Sequence, residues 1–495
     1  MQSKLREMLA SIGVFLNKGK NPYWVTLVMI AVSFTLVYVS PRSIPAFLLF
    51  AVAAALPYFL KMKGSLKLAF AVLIAIVLVP ILGARNIFYL EVIFQIAVFA
   101  ALALGLNIVV GFSGLLNFGY MAFYAVGAYL WGFFGSQQPF LLHAIPGTVP
   151  PGTPFFLAPD WFYLFIFLGI IAAAIVGLIL GLPVLRVRGD YLAVITLGFG
   201  EIVRQLANNL DKPLNLTNGP QGITPIQKPS LPPDVVQFFN LIFQPLVGRR
   251  VTVDQLYNIL FYLLALIVVI VVIIVTYRLD DSRIGRAWTA ISEDELAAGA
   301  MGIPSNKLKL GAFAVGASFA GAMGVLFAAS RTFVSPESFT FLQSVSVLTM
   351  VILGGIGSIR GVIIGAAVVI ILNLQILQSF SLFLAQLRQS DAMIPLINFH
   401  WKDLSNQLDP SKYQRLVFGI ILILMMIYRP AGILPAERRK RELKGEAMLD
   451  ETVVGVVNEN GANIGGSVPD SNASANGGKS TNGSSVRDGE GNGNA

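Results

Sequence analysis

The chain has 495 residues, 55% of them apolar and only 12% charged, and its mean hydropathy is +0.73. Such a composition excludes both an ordinary soluble domain and a disordered chain. With no cysteine and only two histidines, His143 and His400, it also excludes disulfide or thiol chemistry and a histidine-built metal centre within the apolar segments.

Taken in chain order, residues 1–20 carry Lys4, Arg6, Lys18 and Lys20 and lack a cleavable signal pattern, so they read as a cytosolic leader. Apolar runs near the bilayer-crossing length of ~20 residues follow at 23–39, 44–60, 66–83, 87–110, 114–135, 162–184, 256–276, 310–329, 341–356, 362–383 and 416–428. The stretch 191–206 is interrupted by Glu201 and Arg204 and reads either as a span or as a re-entrant helix. The expected fold class is therefore all-α, a polytopic membrane helix bundle of about 10–12 spans. From Gly445 the chain turns to Gly, Asn and Ser, a composition that cannot bury a core, and 446–495 reads as a disordered tail. Its Gly477-Gly478-Lys479-Ser480 is no phosphate loop, because Ala473 stands where the first glycine is required.

Lysine and arginine set the expected orientation. With the N-terminus inside and 191–206 crossing, the inside segments hold roughly twice as many as the outside ones. Both termini and the segment 278–309 then face the cytosol. This distribution explains most of the net charge of +9 without any nucleic acid. The longer loops 137–160, 208–254 and 386–412 fall outside, either as a docking face for a soluble delivery protein or as plain connectors.

The polar segment 278–309 lies between two apolar runs. Ser292 and Glu295 have capping-box spacing, and Glu293, Asp294 and Glu295 put negative charge in a first helical turn. Ala297 and Ala298 continue the helix, and Gly302 before Ile303-Pro304 ends it. A short capped helix flanked by Arg283, Arg286, Lys307 and Lys309 is an expected docking lever for a soluble partner.

Glycine organises the apolar segments. Ala312, Gly316, Ala320, Gly324 and Ala328 recur every fourth residue, as do Gly169, Ala173, Gly177 and Gly181, and both stripes read as packing seams. Two other segments, 107–130 and 350–371, each read apolar run, glycine cluster, apolar run. Gly111 and Gly114 answer to Gly354 and Gly357, a weak internal repeat whose glycines should break the helices. Beside them, Asn107, Ser113, Asn117, Gly354 and Gly357 are candidates for a translocation path, as is Glu201. The asparagines serve equally well as helix–helix hydrogen bonds. Glu201 with Arg204 is either an intramembrane pair on the path or a neutralised structural pair near the outer interface.

Four segments carry a resemblance. They are GFSGLLNFGYMAFYAVGAY (111–129), LRVRGDYLAVITLGFGEIVR (185–204), SRIGRAWTAISEDELAAGAMGI (282–303) and SPESFTFLQSVSVLTMVILGGIGSIRGVIIGA (335–366), with FGIILILMMIYRPAGILP closing the match. In this order they resemble the inner-membrane permease of branched-chain amino acid ABC importers, LivM-type, over roughly residues 87–435. The resemblance implies a permease core at 87–445, with 1–86 as N-terminal spans beyond it. It implies a second, LivH-type permease, two cytosolic ABC ATPases and a periplasmic binding protein as partners. The EDELAAGAMGI segment is similar to the loop such permeases seat in an ATPase groove, though one residue separates Glu295 from Ala297-Ala298. The chain then binds no cofactor, ATP and magnesium being used by the partners, and is not itself an enzyme. The alternatives are a permease for urea or another small polar solute, and an ion-coupled secondary amino acid transporter. The latter calls for several buried carboxylates, where Glu91 and Glu201 alone stand.

Overall fold

The computed structural model describes residues 21–40, 43–60, 62–143, 152–184, 190–247, 251–389, 393–394, 399–400, 413–429 and 431–436. The leader 1–20, the tail 446–495 with its GGKS sequence, the 185–189 part of the second motif and the stretch 401–412 lie outside the described residues.

In hydrocarbon every backbone N–H and C=O needs a partner within its own segment, so apolar runs become helices. In chain order these are α1 (Asn21–Val39), α2 (Ile44–Phe59), α3 (Gly64–Val72), α4 (Val79–Arg85), α5 (Ile87–Asn107), α6 (Met121–Phe134), α7 (Trp161–Val184), α8 (Asp190–Asn209) and α9 (Pro233–Val247). After them come α10 (Val253–Asp280), α11 (Arg283–Glu293), α12 (Glu295–Ala300), α13 (Ser305–Arg331), α14 (Phe341–Gly354), α15 (Ile359–Ile371), α16 (Gln378–Gln389) and α17 (Gln414–Tyr428). Three π-helical turns, Leu73–Leu78, Ile108–Phe112 and Leu372–Leu377, join α3 to α4, extend α5, and join α15 to α16. A two-residue ladder, Met393–Ile394 with Phe399–His400, departs from the all-helical pattern.

Eight helical stretches among the described residues are long and apolar enough to cross a membrane, and Ile44–Pro57, Met121–Phe134 and Gly419–Tyr428 are apolar but shorter. Each of the eleven expected runs thus has its helix, and the protein is a multi-pass membrane protein. The doubtful segment forms one unbroken helix, α8. The run expected at 114–135 is not continuous: Gly114–Tyr120 is non-helical and α6 starts only at Met121. Tyr120 donates from its hydroxyl to the Gly316 carbonyl at 2.8 Å, near the middle of α13, so α6 begins inside the bundle.

Helix α13 is the axis. Gly316 meets the backbone of Gly105 on α5, Gly324 that of Tyr124 and Gly127 on α6, and Gly321 that of Gly169 on α7. A Cβ at Gly321 or Gly127 would stand on carbonyl oxygen. The two expected seams are therefore real, with one difference. The stripe through Gly316 and Gly324 faces α5 and α6, while Ala317 and Gly321, one position on, receive the α7 glycines. Around this axis the N-terminal helices pack onto the rest. Phe47 stacks on Tyr89 at 4.5 Å, and Tyr262 donates to the Ala75 carbonyl at 2.8 Å.

At one end, the loop after α8 is more than a run of turns. Asn218, Gly219 and Gly222 take positive φ, and the chain then bonds across the bundle. Gln138 Nε2 donates to the Asn215 carbonyl at 2.7 Å, Gln227 N to that of Gly135 at 2.8 Å, and Ile226 N to that of Thr332 at 3.0 Å. At the opposite side of α14, Ile433 N and Leu434 N donate to the carbonyls of Leu353 (2.9 Å) and Gly354 (3.1 Å), closing orphan acceptors of that helix.

Replacing Gly321 with Val is expected to destabilise the bundle by about 1–3 kcal/mol through overpacking. Gly311→Ala, where a Cβ meets nothing within 4 Å, is expected to be neutral. Thermal unfolding in detergent, followed by intrinsic fluorescence, reads the difference.

Candidate functional site

The polar segment between α10 and α13 folds as two short helices. Ser282 caps α11, its hydroxyl accepting from Gly285 N at 3.1 Å. Gly285 is required because a Cβ there would strike the Leu279 and Asp280 carbonyls. Trp288, 1% exposed, donates from its indole Nε1 to the Leu308 carbonyl at 2.7 Å, fixing α11 to the start of α13.

The capping box expected from Ser292 and Glu295 is not made. The chain bends at Asp294 (φ −151°), and one carboxylate oxygen accepts from Leu296 N at 2.8 Å and Ala297 N at 3.0 Å. An aspartate that satisfies two orphan amides is the stronger cap. Ser292 sits at the end of α11 instead, donating to the Thr289 carbonyl at 2.8 Å. Glu295 does not present its charge to a partner either, for its carboxylate takes a 2.6 Å ion pair from Lys309 Nζ. Lys309 is buried at the head of α13, so the pair clamps α12 against that helix.

The C-terminus of α12 closes with a Schellman pattern. Gly302 (φ +80°) donates to the Gly299 carbonyl and Ile303 to that of Ala298. Ala298 faces inward, while Leu296 and Met301 are 71% and 84% exposed. Glu293, Asp294, Ala297 and Gly302 lie on the exposed side. The result is an apolar tip on a helix held from three sides.

The candidate path residues fall into four places. Asn107 is fully buried, and its Oδ1 accepts from Gly357 N at 2.9 Å. That bond brings the two glycine clusters together, with Gly111 lying against Gly357 and Gly354 against Gly361. This is the helix–helix role. Ser113 donates to the Val109 carbonyl at 2.7 Å, and its neighbour Gly114 (φ +69°) lies against Ser292. The broken helix therefore touches α11. Asn117 Oδ1 accepts from Gly119 N at 2.9 Å, and with Thr196, Phe199, Phe123 and Phe313 it lines a small, partly open pocket. The side-chain Nδ2 atoms of Asn107 and Asn117 are buried without a partner. Glu201 lies apart from these, paired with Arg204 at 3.0 and 3.1 Å, while Arg204 also reaches Glu337 at 3.1 Å.

Several side chains that hold the site together escape sequence reasoning. Lys309 looks like an interfacial lysine, Trp288 like an ordinary aromatic, and Ser344, which accepts from Met121 N at 3.1 Å to cap α6, like a filler. The one local signal is Lys309 as the last cation, after Lys307, at the start of an apolar run.

The family model described as branched-chain amino acid transport system, permease component, matches residues 88–426. The chain is 38% identical over 72% of its length to the high-affinity branched-chain amino acid transport system permease protein LivM of Escherichia coli, covering 72% of that protein. It is 23% identical over 67% of its length to a probable LivM of Methanocaldococcus jannaschii, covering 89% of it. To LivH of Salmonella typhimurium it is 24% identical over 68%, covering 91% of that chain. No solved structure matches. A helix bundle broken at two touching glycine clusters, together with a family match across about two thirds of the sequence, leads to one conclusion: the chain belongs to the branched-chain amino acid transport system permease family.

Proposed function

We propose that this chain is one of two permease subunits of an ATP-driven importer of branched-chain amino acids in the plasma (inner) membrane. On this reading α11 and α12 face the cytosol and α12 seats in an ATPase subunit. The observation that carries it is the exposed apolar tip of α12, Leu296 and Met301, on a helix otherwise immobilised by Asp294 and Lys309. An exposed apolar patch on a rigid support serves a partner.

Force applied to α12 has two routes inward. One is the Lys309–Glu295 pair into α13; the other is the Ser292–Gly114 contact into the broken stretch before α6. Tilting α13 moves α5, α6 and α7, which it packs against at glycine contacts, so access to a path between two permeases alternates. ATP is hydrolysed by the cytosolic partners, and a binding protein outside selects the cargo. Ion coupling gains no support from the carboxylates, since Glu91 is paired with Arg331 and Glu201 with Arg204.

In vesicles holding the chain, a LivH-type permease, their ATPases and a loaded binding protein, leucine uptake is expected to require ATP and to ignore proton and sodium gradients. Uptake driven by either gradient without ATP sinks the reading. Met301→Glu is expected to cut ATP-driven uptake at least tenfold and to weaken ATPase co-purification, at unchanged yield of the chain. For the clamp, Glu295→Gln removes the charge that faces the buried Lys309, an expected loss of about 1–3 kcal/mol of stability. The double variant Glu295→Gln/Lys309→Met is expected to recover part of that loss, which a double-mutant cycle on detergent melting measures.

A further inference from the structure

The helices present two kinds of outward face. On α7, Phe167, Ile171, Ile175 and Ile179 are 50–65% exposed in steps of four, a surface suited to hydrocarbon. The face made by α8 and α14 differs. Gln205 on α8 and Gln343 on α14 are exposed, and Ser346, one turn along α14, is half-buried. Beside them, Arg204 joins Glu201 on α8 to Glu337 in the turn that leads into α14. The side chains of Glu201 and Glu337 are 41% and 72% exposed.

These groups form one continuous surface because α8 and α14 grip the same non-helical stretch. Phe118 N donates to Thr196 Oγ1 at 3.1 Å, and the Phe118 ring packs edge-on against Phe341 at 6.0 Å. Within that stretch Leu116 is 39% exposed. Lipid does not tolerate open non-helical backbone or a row of polar side chains, which belong beside protein or a water-filled path. A soluble partner does not fit either, since Ile202, Leu206 and Leu342 on the same face are 40–56% exposed.

We infer that the α8–α14 face is the surface on which a second, homologous permease chain seats, an inference that rests on the function proposed above. A homologue offers the counterparts of these same helices, so the contact closes as a near-twofold pair. The chain's similarity to both LivM and LivH proteins names a source for such a partner. Charge decides between a homologue and a second copy. Two glutamates to one arginine leave this face net negative, which a second copy would repel and a partner with a basic residue would complement.

The chain has no cysteine, so single-thiol variants are clean probes. Gln205→Cys, Ser346→Cys and the α7 control Ile175→Cys are each labelled with a benzophenone maleimide in the assembled complex and irradiated. The expected result is an adduct with the second permease from positions 205 and 346, at least tenfold above that from 175. Adducts with lipid alone, with a second copy of this chain, or equally from 175 overturn the inference. ATP-driven leucine uptake and co-purification are measured on the same samples. If they persist while the adducts fail, only the assignment of the face falls. If the unmodified chain never co-purifies with a second permease, the underlying functional reading falls with it.

Discussion

Close approach of helix backbones along α13 is the constraint on which the rest of the structure depends. Between apolar helices in a membrane no hydrophobic force favours protein over lipid, so association rests on van der Waals contact and hydrogen bonds. Gly316, Gly321 and Gly324 allow α5, α7 and α6 to touch the axis at backbone distance. The same contacts expose the Gly316 carbonyl to the Tyr120 hydroxyl, which fixes where α6 begins. An axis gripped by three helices also moves them together, which is what a transport cycle needs of it.

The segment between α10 and α13 gains its meaning from that axis. Trp288 and Lys309 tie α11 and α12 to the head of α13, while Ser292 rests on Gly114 at the first helix break. That break is in turn joined to the second by the Asn107–Gly357 bond. The chain after α17 then closes the carbonyl end of α14. A surface helix, two helix breaks and the last described segment are thus linked through contacts a few residues apart.

Much of this was legible. The eleven apolar runs, the two small-residue seams, the breaks at the glycine clusters and the Glu201–Arg204 pair were all visible as periodicity or spacing. Local cap chemistry was not. Thr252 and Gln255 have the same spacing as Ser292 and Glu295 and do form a reciprocal capping box, whereas the second pair does not. The reason is competition: Asp294 offers a better cap, and Lys309, fourteen residues on, takes Glu295. Nor did sequence show that Gly114–Tyr120 would stay non-helical as a whole, with the Phe118 amide answered by the distant Thr196 hydroxyl.

The sequence by itself determined that this is a membrane-embedded helical bundle, where its apolar runs lie, that glycine clusters break two of them, and to which family it belongs. Each of these follows from hydrocarbon's demand for internally bonded backbone, or from residues adjacent along the chain. Only the tertiary structure decided which glycine meets which carbonyl, that Asn107 joins the two breaks, and that Glu295 is held inward while Leu296 and Met301 point out. These depend on groups brought together from fourteen to 250 positions apart, and a one-dimensional pattern carries no information about which distant partner fills a given site.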